Sequence, residues 1–168
     1  MAGPRLHWCG VVLVAGAVAA CSSAPSAAHG LEPSFRARAN AVCAPSAALA
    51  SAHPFPLKSF DVRHPNPSDL PVIADYFSRY GGGAKVARGL DALGDPPSHV
   101  TEWHRLLGLI HAVTDNAAAQ IAADRAQDVA AFESTVNRSD ALTRQVSRLG
   151  AKLGFASSDE CARVFGGD

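Results

Sequence analysis

Apolar residues recur at intervals of three and four along most of this 168-residue chain, and no segment alternates with a period of two for long enough to form a strand. The pattern is clearest from Val100 to Ile121, where one face of a helix carries a continuous stripe. The stripe consists of Val100, Trp103, Leu107, Ile110, Thr114, Ala117 and Ile121. Because such a stripe has to be buried against another element, the sequence predicts an all-α fold.

Three further stretches with this periodicity begin at Phe35, near Leu70 and at Val129. The four prolines between residues 51 and 69 exclude regular structure there, so we expect a long loop between the first and second helices. The two later links are short, which favours antiparallel neighbours. The sequence therefore predicts an antiparallel four-helix bundle within a domain of residues 34–168.

Two of the predicted helices contain residues that disfavour a helix. Pro45 removes a backbone hydrogen bond and clashes with the preceding turn, so we expect a kink or a break near Ala44. The triple glycine at 81–83 costs about 1 kcal/mol per glycine relative to alanine, which predicts a kink or two short helices in place of one. Asp128 is the expected N-cap of the fourth helix, and Gly154 its end.

The first 20 residues have the layout of a secretory signal, with one positive charge at Arg5, an apolar stretch and then small residues. The apolar stretch is too short to span a bilayer, which takes about 20 residues. The segment Val18-Ala19-Ala20-Cys21 resembles the bacterial lipobox, in which the cysteine is acylated and becomes the new N-terminus. We expect removal of residues 1–20 and lipid attachment at Cys21, which would hold the protein on the extracytoplasmic face of the cell membrane. A plain signal-peptidase site with an incidental cysteine is the alternative.

Residues 21–33 continue as a stretch of serine, alanine, proline and glycine without hydrophobic periodicity. This composition is typical of a flexible tether, because it cannot bury enough apolar surface to become ordered. A flexible segment from Ser22 to Pro33 would place the domain roughly 20 Å from the membrane.

The four cysteines have different expected roles. Cys9 is lost with the signal and Cys21 carries the lipid, which leaves Cys43 and Cys161. Two thiols in an oxidising compartment predict one disulfide, which would tie the first helix to the end of the chain. Two free cysteines, one of them reactive, are the alternative.

The charges balance at 15 basic and 15 acidic residues, and no run of like charges occurs. Charge therefore implies neither a nucleic acid nor an anionic lipid surface as a partner. The segment Gly81-Gly82-Gly83-Ala84-Lys85 lacks the preceding strand and the spacing of a phosphate-binding loop, and Val86 stands where that loop has serine or threonine. A kinked or flexible segment is the interpretation we prefer there.

His104 and His111 lie seven residues apart and share a helix face, but two turns separate them by about 10 Å, too far to hold one small ion. We expect partly exposed histidines at the edge of the core. No catalytic motif of the serine, cysteine or zinc type is present. The acidic residues Asp115, Asp124, Asp128 and Glu133 are expected at solvated positions. The sequence therefore predicts no catalytic residue, no metal site and no cofactor.

Three segments of the mature chain carry a family resemblance. They are Phe-Arg-Ala-Arg-Ala-Asn-Ala-Val-Cys at 35–43, Pro96-Pro97, and Leu-Gly-Ala-Lys-Leu-Gly at 149–154 ahead of Cys161. Together they resemble small actinobacterial, mycobacterial-type lipoproteins that share a Phe-x-x-x-Ala-Asn-x-x-Cys opening and a closing Leu-Gly-Leu…Cys segment. The resemblance implies an anchored helical domain closed by a disulfide, and it implies no activity for any residue. Pro45, the triple glycine and the insert at 155–160 depart from the pattern.

We therefore expect a noncatalytic, membrane-anchored envelope lipoprotein that binds another envelope protein or acts structurally. The alternative is a helical bundle that binds a small molecule, a lipid or a metal. For that alternative, the sequence offers the break at Gly81–Gly83 or the surroundings of His104 and His111.

Overall fold

The computed structural model describes residues 30–165, and within them it contains helices and no strand, which confirms the all-α prediction. The predicted signal, Cys21 and the tether up to residue 29 lie outside the described residues. Six helices follow one another along the described chain. They are α1 Pro33–Ala52, α2 Leu70–Tyr80, α3 Gly83–Asp91, α4 Val100–Arg125, α5 Val129–Lys152 and α6 Glu160–Phe165.

The two longest helices, α4 and α5, form an antiparallel pair. Near the turn, Asn116 Nδ2 donates to the Thr135 carbonyl oxygen at 2.9 Å; at the other end, Lys152 Nζ lies 3.0 Å from Glu102 Oε1. The turn between the helices ends at Asp128, whose Oδ1 accepts a hydrogen bond from the Ala131 N–H at 3.0 Å. The predicted cap of this helix is therefore confirmed.

The predicted second helix is two helices, because the chain turns at Gly82. Gly82 has a φ of +56°, in the left-handed region that glycine enters without a steric penalty. It also lies close to α1, since a Cβ at this position would stand 2.7 Å from Ser46 Oγ. The prediction of two short helices is confirmed. With α2 and α3 separate and α6 added, the finer description as a four-helix bundle is not confirmed.

Helix α1 runs unbroken from Pro33 to Ala52, with Pro45 inside it. The predicted break near Ala44 does not occur. Cys43 and Ala47, on either side of the proline, are both buried, whereas Pro45 is itself exposed. Packing on both sides of Pro45 holds the helix together despite the missing hydrogen bond.

Two apolar clusters form the interior. The larger one joins α1, α3, α4, α5 and the C-terminal residues, and Phe35, Leu90, Trp103 and Leu153 are among its most buried members. The smaller cluster contains Leu70, Ile73 and Phe132, with Leu57 and Phe60 of the long loop packed against it. The loop of residues 53–69 is thus partly packed against the domain.

The folded domain begins earlier than residue 34. Leu31 is 2% exposed, and its N–H donates to the Leu153 carbonyl oxygen at 2.9 Å. Gly30 adopts a φ of +108°, and a Cβ there would stand 2.7 Å from the same oxygen. Residues 30–33, predicted as tether, therefore belong to the domain.

The predicted disulfide is confirmed. Cys43 of α1 and Cys161 of α6 are bonded, with their Cα atoms 5.1 Å apart and a sequence separation of 118. The bond holds the last described helix against the first.

Candidate functional site

A cavity of about 190 Å³ lies between α4, α5 and the C-terminal segment, by which we mean residues 153–165. It opens at the surface beside Ser147, Ala151 and Ser157, which are exposed. Its walls are largely apolar. The lining consists of Leu90, Trp103, Leu106, Ile110, Val146, Ser147, Gly150, Ala151, Phe155, Ser157, Cys161, Ala162 and Phe165.

The cavity arises from a difference in side-chain size between the two long helices. On α4, Trp103, Leu106 and Ile110 follow one another at intervals of three and four, so one helix face presents large side chains. The facing part of α5 presents Ser147, Gly150 and Ala151. Small side chains at these positions leave space that a leucine would fill.

Trp103, one of the lining residues, has a fully buried side chain. The residue is 0% exposed, and its ring meets that of Phe35 edge to face at 5.0 Å between centroids. Its Nε1 is buried and has no hydrogen-bond partner in the described structure. An indole N–H can only donate, and a buried donor without an acceptor costs about 1–3 kcal/mol.

The rest of the lining is uncharged. Its side-chain polar atoms, apart from the Trp103 N–H and the disulfide sulfur, are the hydroxyls of Ser147 and Ser157. A charged pair occurs nearby in sequence, where Lys152 Nζ lies 3.0 Å from Glu102 Oε1. Neither residue lines the cavity, and the hydrogen bond from Lys152 lowers the pKa of the Glu102 carboxyl. The charged side chains of this pair therefore lie outside the cavity.

The C-terminal segment closes one side of the cavity and is fastened to α1 at several points. Besides the disulfide, Arg36 Nη1 donates to the Gly154 carbonyl oxygen at 2.9 Å. The Cys161 N–H donates to Asn40 Oδ1 at 3.3 Å, which gives a structural role to the asparagine of the Ala-Asn pair. The position of this wall therefore depends on α1, to which covalent and hydrogen bonds join it.

The two histidines considered as ligands lie outside the cavity and do not meet each other. His104 Nε2 lies 2.6 Å from Asp95 Oδ1, and His111 Nε2 lies 3.0 Å from Asp91 Oδ2. All four side chains are partly exposed. Among residues 30–165, no group of three or more histidine, cysteine, aspartate or glutamate side chains could hold a metal ion.

The sequence reasoning missed this cavity and pointed to other places. The glycine break at 81–83 separates α2 from α3 and contributes nothing to the cavity lining. The sequence feature that could have indicated the cavity is Gly150, a small residue on the core stripe of the last long helix. By itself it does not show which side chain faces it from α4.

The prediction that Asp124 is solvated is wrong. Asp124 is 0% exposed, and neither of its carboxylate oxygens has a hydrogen-bond partner in the described structure. Burial raises the pKa of this carboxyl to about 6. The reason is positional, because Asp124 lies next to Ala123 on the buried side of the last turns of α4. Asp124 does not line the cavity.

A second surface feature, which we call the aromatic surface, consists of His53, Phe55, Tyr76, Phe77 and Tyr80. The rings of His53 and Tyr80 stack at 4.1 Å between centroids, and Tyr76 Oη donates to the His53 carbonyl oxygen at 2.6 Å. Phe55 and Phe77 are each 37% exposed.

Most of the large exposed hydrophobic residues fall in the part of the sequence that contains this surface. Five of the six in the described part of the chain lie between residues 49 and 77, and the sixth is Val100. The five are Leu49, Phe55, Val62, Val72 and Phe77. Of these five, Phe55 and Phe77 lie close together, with their ring centroids 6.3 Å apart. Adjacent exposed apolar side chains are typical of an interaction site.

None of the helices within residues 30–165 combines the length and the apolar character needed to cross a membrane. Comparison of the chain with protein-family models, with curated proteins and with solved structures finds no match.

Proposed function

We propose that this chain is an exported, lipid-anchored protein whose helical domain binds a small apolar molecule at the extracytoplasmic face of the membrane. The observation that carries the proposal is the apolar cavity beside Trp103. Concave apolar sites with a few placed polar groups are the usual form of a small-molecule site. The volume of about 190 Å³ is below the range of drug-sized sites, so the ligand is small.

The lining supports binding in preference to catalysis. Its one cysteine, Cys161, is engaged in the disulfide and is not a free thiol. The other polar side chains of the lining are two serines and a tryptophan, without a charged acid or base beside them in the lining. We accordingly propose a noncatalytic role without a cofactor.

The predicted anchor would hold the cavity near the membrane surface. Cys21 is the ninth residue before Gly30, where the described domain begins, so a flexible connection would span roughly 17 Å. Apolar molecules partition into the bilayer, and a domain held this close samples them at the membrane surface. We also infer that α1, the α2–α3 pair, α4 and α5 correspond to the four helices of an antiparallel bundle, which the antiparallel α4–α5 pair supports.

Two glycines allow a matched test of the cavity. A Cβ at Gly150 or at Gly108 would meet no atom within 4 Å, and both residues lie inside long helices. Gly150 lines the cavity, whereas Gly108 is exposed and does not. Gly150→Leu should therefore fill the cavity, and Gly108→Leu should add the same side chain to open solvent.

The measurement is calorimetric titration of the protein with ethylbenzene and acetophenone, two molecules with one ring and a short chain. We expect wild type and Gly108→Leu to bind with the same affinity and Gly150→Leu to bind at least about tenfold more weakly, since no room is left. Absence of binding to wild type, or equal binding to all three proteins, would contradict the cavity as the functional site.

The anchor has its own test. Mass analysis of the membrane-extracted protein should show an N-terminal acylated Cys21, and Cys21→Ala should leave the membrane fraction. An unmodified cysteine in membrane-derived wild type would rule out lipid attachment at this residue.

A second candidate function, docking of an envelope protein with an apolar face, is favoured by the aromatic surface. Phe55→Ser together with Phe77→Ser should abolish a specific cross-link formed in membranes, because two exposed rings are removed. Val100→Ser, which removes an exposed hydrophobic residue elsewhere, should leave the cross-link in place. Loss of the cross-link in both variants, or in neither, would count against this surface as the docking site.

A further inference from the structure

We infer that the cavity holds the apolar chain of a single-chain anionic amphiphile, such as a fatty acid, and that the negatively charged head stays in solvent at the mouth, next to two arginines of α5. This inference rests on the proposed function and adds the chemical class of the ligand. Two observations carry it. The interior of the cavity is uncharged, and the exposed surface of α5 beside the mouth is basic.

The interior accepts only the uncharged part of a ligand. No aspartate, glutamate, lysine, arginine or histidine belongs to the lining described by the structure. A carboxylate or an ammonium group placed inside would lose its hydration without gaining a counter-charge, which is strongly unfavourable. A charged head group therefore has a place only where the cavity opens, beside the exposed residues Ser147, Ala151 and Ser157.

Two arginines border the mouth on its α5 side. Arg144 lies three residues before Ser147. Arg148 lies three residues before Ala151. Residues three apart on a helix are neighbours on its surface, with about 5–6 Å between their Cβ atoms. Both arginines are exposed, so a head group at the mouth meets their charge without entering the interior.

These two arginines are unpaired within the described residues 30–165. Neither Arg144 nor Arg148 forms an ion pair or a hydrogen bond there. Lys152, the next basic residue along α5, differs because its Nζ lies 3.0 Å from Glu102 Oε1 of α4. The positive charge beside the mouth is therefore available to an anion, whereas the charge of Lys152 is already compensated.

The acidic residues of the C-terminal segment leave this positive charge in excess. Asp159 Oδ2 accepts a hydrogen bond from the Ala156 N–H at 2.9 Å. Glu160 is paired with Arg163 of the same helix. One acidic side chain, that of Asp159, thus stands without a basic partner in this segment, against two unpaired arginines on α5.

Size restricts the ligand to one chain. An engineered apolar cavity of about 150 Å³ in another protein holds benzene. A volume of about 190 Å³ therefore suffices for roughly six to eight carbon atoms. The second chain of a two-chain lipid would remain in water, so the cavity favours a single-chain ligand.

Hexanoate, hexan-1-ol and hexylamine form a matched set of probes, because they share a chain and carry a negative, a neutral and a positive head at pH 7. Calorimetric titration at low salt measures their affinities. In wild type we expect hexanoate to bind about fivefold more tightly than hexanol, the factor of a favourable exposed ion pair. Hexylamine should bind most weakly, and the preference for hexanoate should shrink at high salt.

Substitutions on α5 assign the preference to the two arginines. Arg144→Gln together with Arg148→Gln should abolish the preference for hexanoate and leave the affinity for hexanol unchanged. Arg138→Gln is the matched control, since Arg138 is exposed on the same helix but nine residues before Ser147, and it should keep the wild-type preference. Gly150→Leu should weaken the binding of all three probes, because it fills the cavity.

The outcomes separate the class of the ligand from the proposed function. Equal affinities of wild type for hexanoate and hexanol, or a preference that persists in the double arginine variant, would overturn the role of the arginines. If Gly150→Leu binds hexanoate as wild type does, hexanoate binds outside the cavity and the inference is wrong.

Two further probes complete the test. Dihexanoyl phosphatidylglycerol, a soluble two-chain anionic lipid, should bind more weakly than hexanoate, and tighter binding would overturn the single-chain assignment. If ethylbenzene binds wild type and hexanoate does not, the inference fails while the proposed function stands. If neither binds, the proposed function itself fails.

Discussion

Cys161 of α6 and Cys43 of α1 are joined with their Cα atoms 5.1 Å apart and a sequence separation of 118. The C-terminal segment carries a wall of the cavity, so this bond connects the stability of the domain with the shape of the cavity. A change in the redox state of the bond should alter both.

Reduction of the disulfide should lower the free energy of unfolding by at most about 4–5 kcal/mol, because the unfolded chain regains the entropy of a long open loop. Urea unfolding with and without a reductant measures the difference. The double variant Cys43→Ser with Cys161→Ser should match the reduced protein and should not respond to the reductant. Equal midpoints for oxidised and reduced wild type would contradict the prediction.

Asp124 should make stability depend on pH. Burial raises its pKa from an ordinary 3.8 to about 6 in the folded protein, so between these values the folded state binds the proton more tightly than the unfolded state. The stabilisation that comes from the protonated Asp124 carboxyl is fully present below about pH 4. It is lost as pH rises through 6, and the free energy of unfolding then falls by about 3 kcal/mol.

Asp124→Asn keeps the shape of the side chain without a charge, so its urea midpoint should lack this decrease between pH 4 and 7. The matched control is Asp115→Asn, at an exposed position of the same helix, which should follow wild type. Parallel pH profiles for wild type and Asp124→Asn would show that the buried carboxyl does not titrate in this range.

The two aspartates at N-cap positions should differ in their contribution to stability. Asp128 accepts a hydrogen bond from the Ala131 N–H, whereas Asp69 stands at the same position of α2 without a side-chain cap bond. Asp128→Ala should lower the free energy of unfolding by about 1 kcal/mol, and Asp69→Ala should change it less. Equal losses in denaturant titrations would mean that the bond seen at Asp128 contributes nothing of its own.

Replacing glycine by alanine should stabilise the domain where the backbone accepts a side chain and destabilise it where the backbone does not. Gly108→Ala and Gly150→Ala lie in helix interiors with open space for a Cβ, so each should raise the free energy of unfolding by about 0.5–1 kcal/mol. Gly82→Ala should lower it, because φ is +56° and the Cβ would stand 2.7 Å from Ser46 Oγ. Thermal unfolding of the three variants checks the signs, and stabilisation by Gly82→Ala would show that the turn between α2 and α3 can relax.

The features that the sequence predicted are those with a local cause. The stripe from Val100 follows from the helical repeat within a single segment, and it locates α4 without knowledge of the remaining chain. The Asp128 cap depends on a residue three positions away. The disulfide is not local, but it was predictable because only two cysteines are left once Cys9 and Cys21 are assigned to the expected signal and anchor.

The features that the sequence did not predict depend on distant pairs. Leu31 looked like part of a tether because it is isolated in a polar stretch, and its burial follows from pairing with Leu153. The cavity requires the register of α4 against α5, which brings Trp103 and Gly150 to the same space. Asp124 was misplaced because its charge favoured solvent, whereas its side of the last turns of α4 is buried.

The hydrogen bond between Leu31 and Leu153 also has a mechanical consequence. A pulling force applied to the chain ahead of Gly30 reaches the domain at Leu31, next to the point where the C-terminal segment leaves α5. Arg36 holds Gly154 in the same region. Tension on the N-terminal side would therefore load the cavity wall before it reaches α2 or the far end of α4, and the disulfide limits how far that wall can yield.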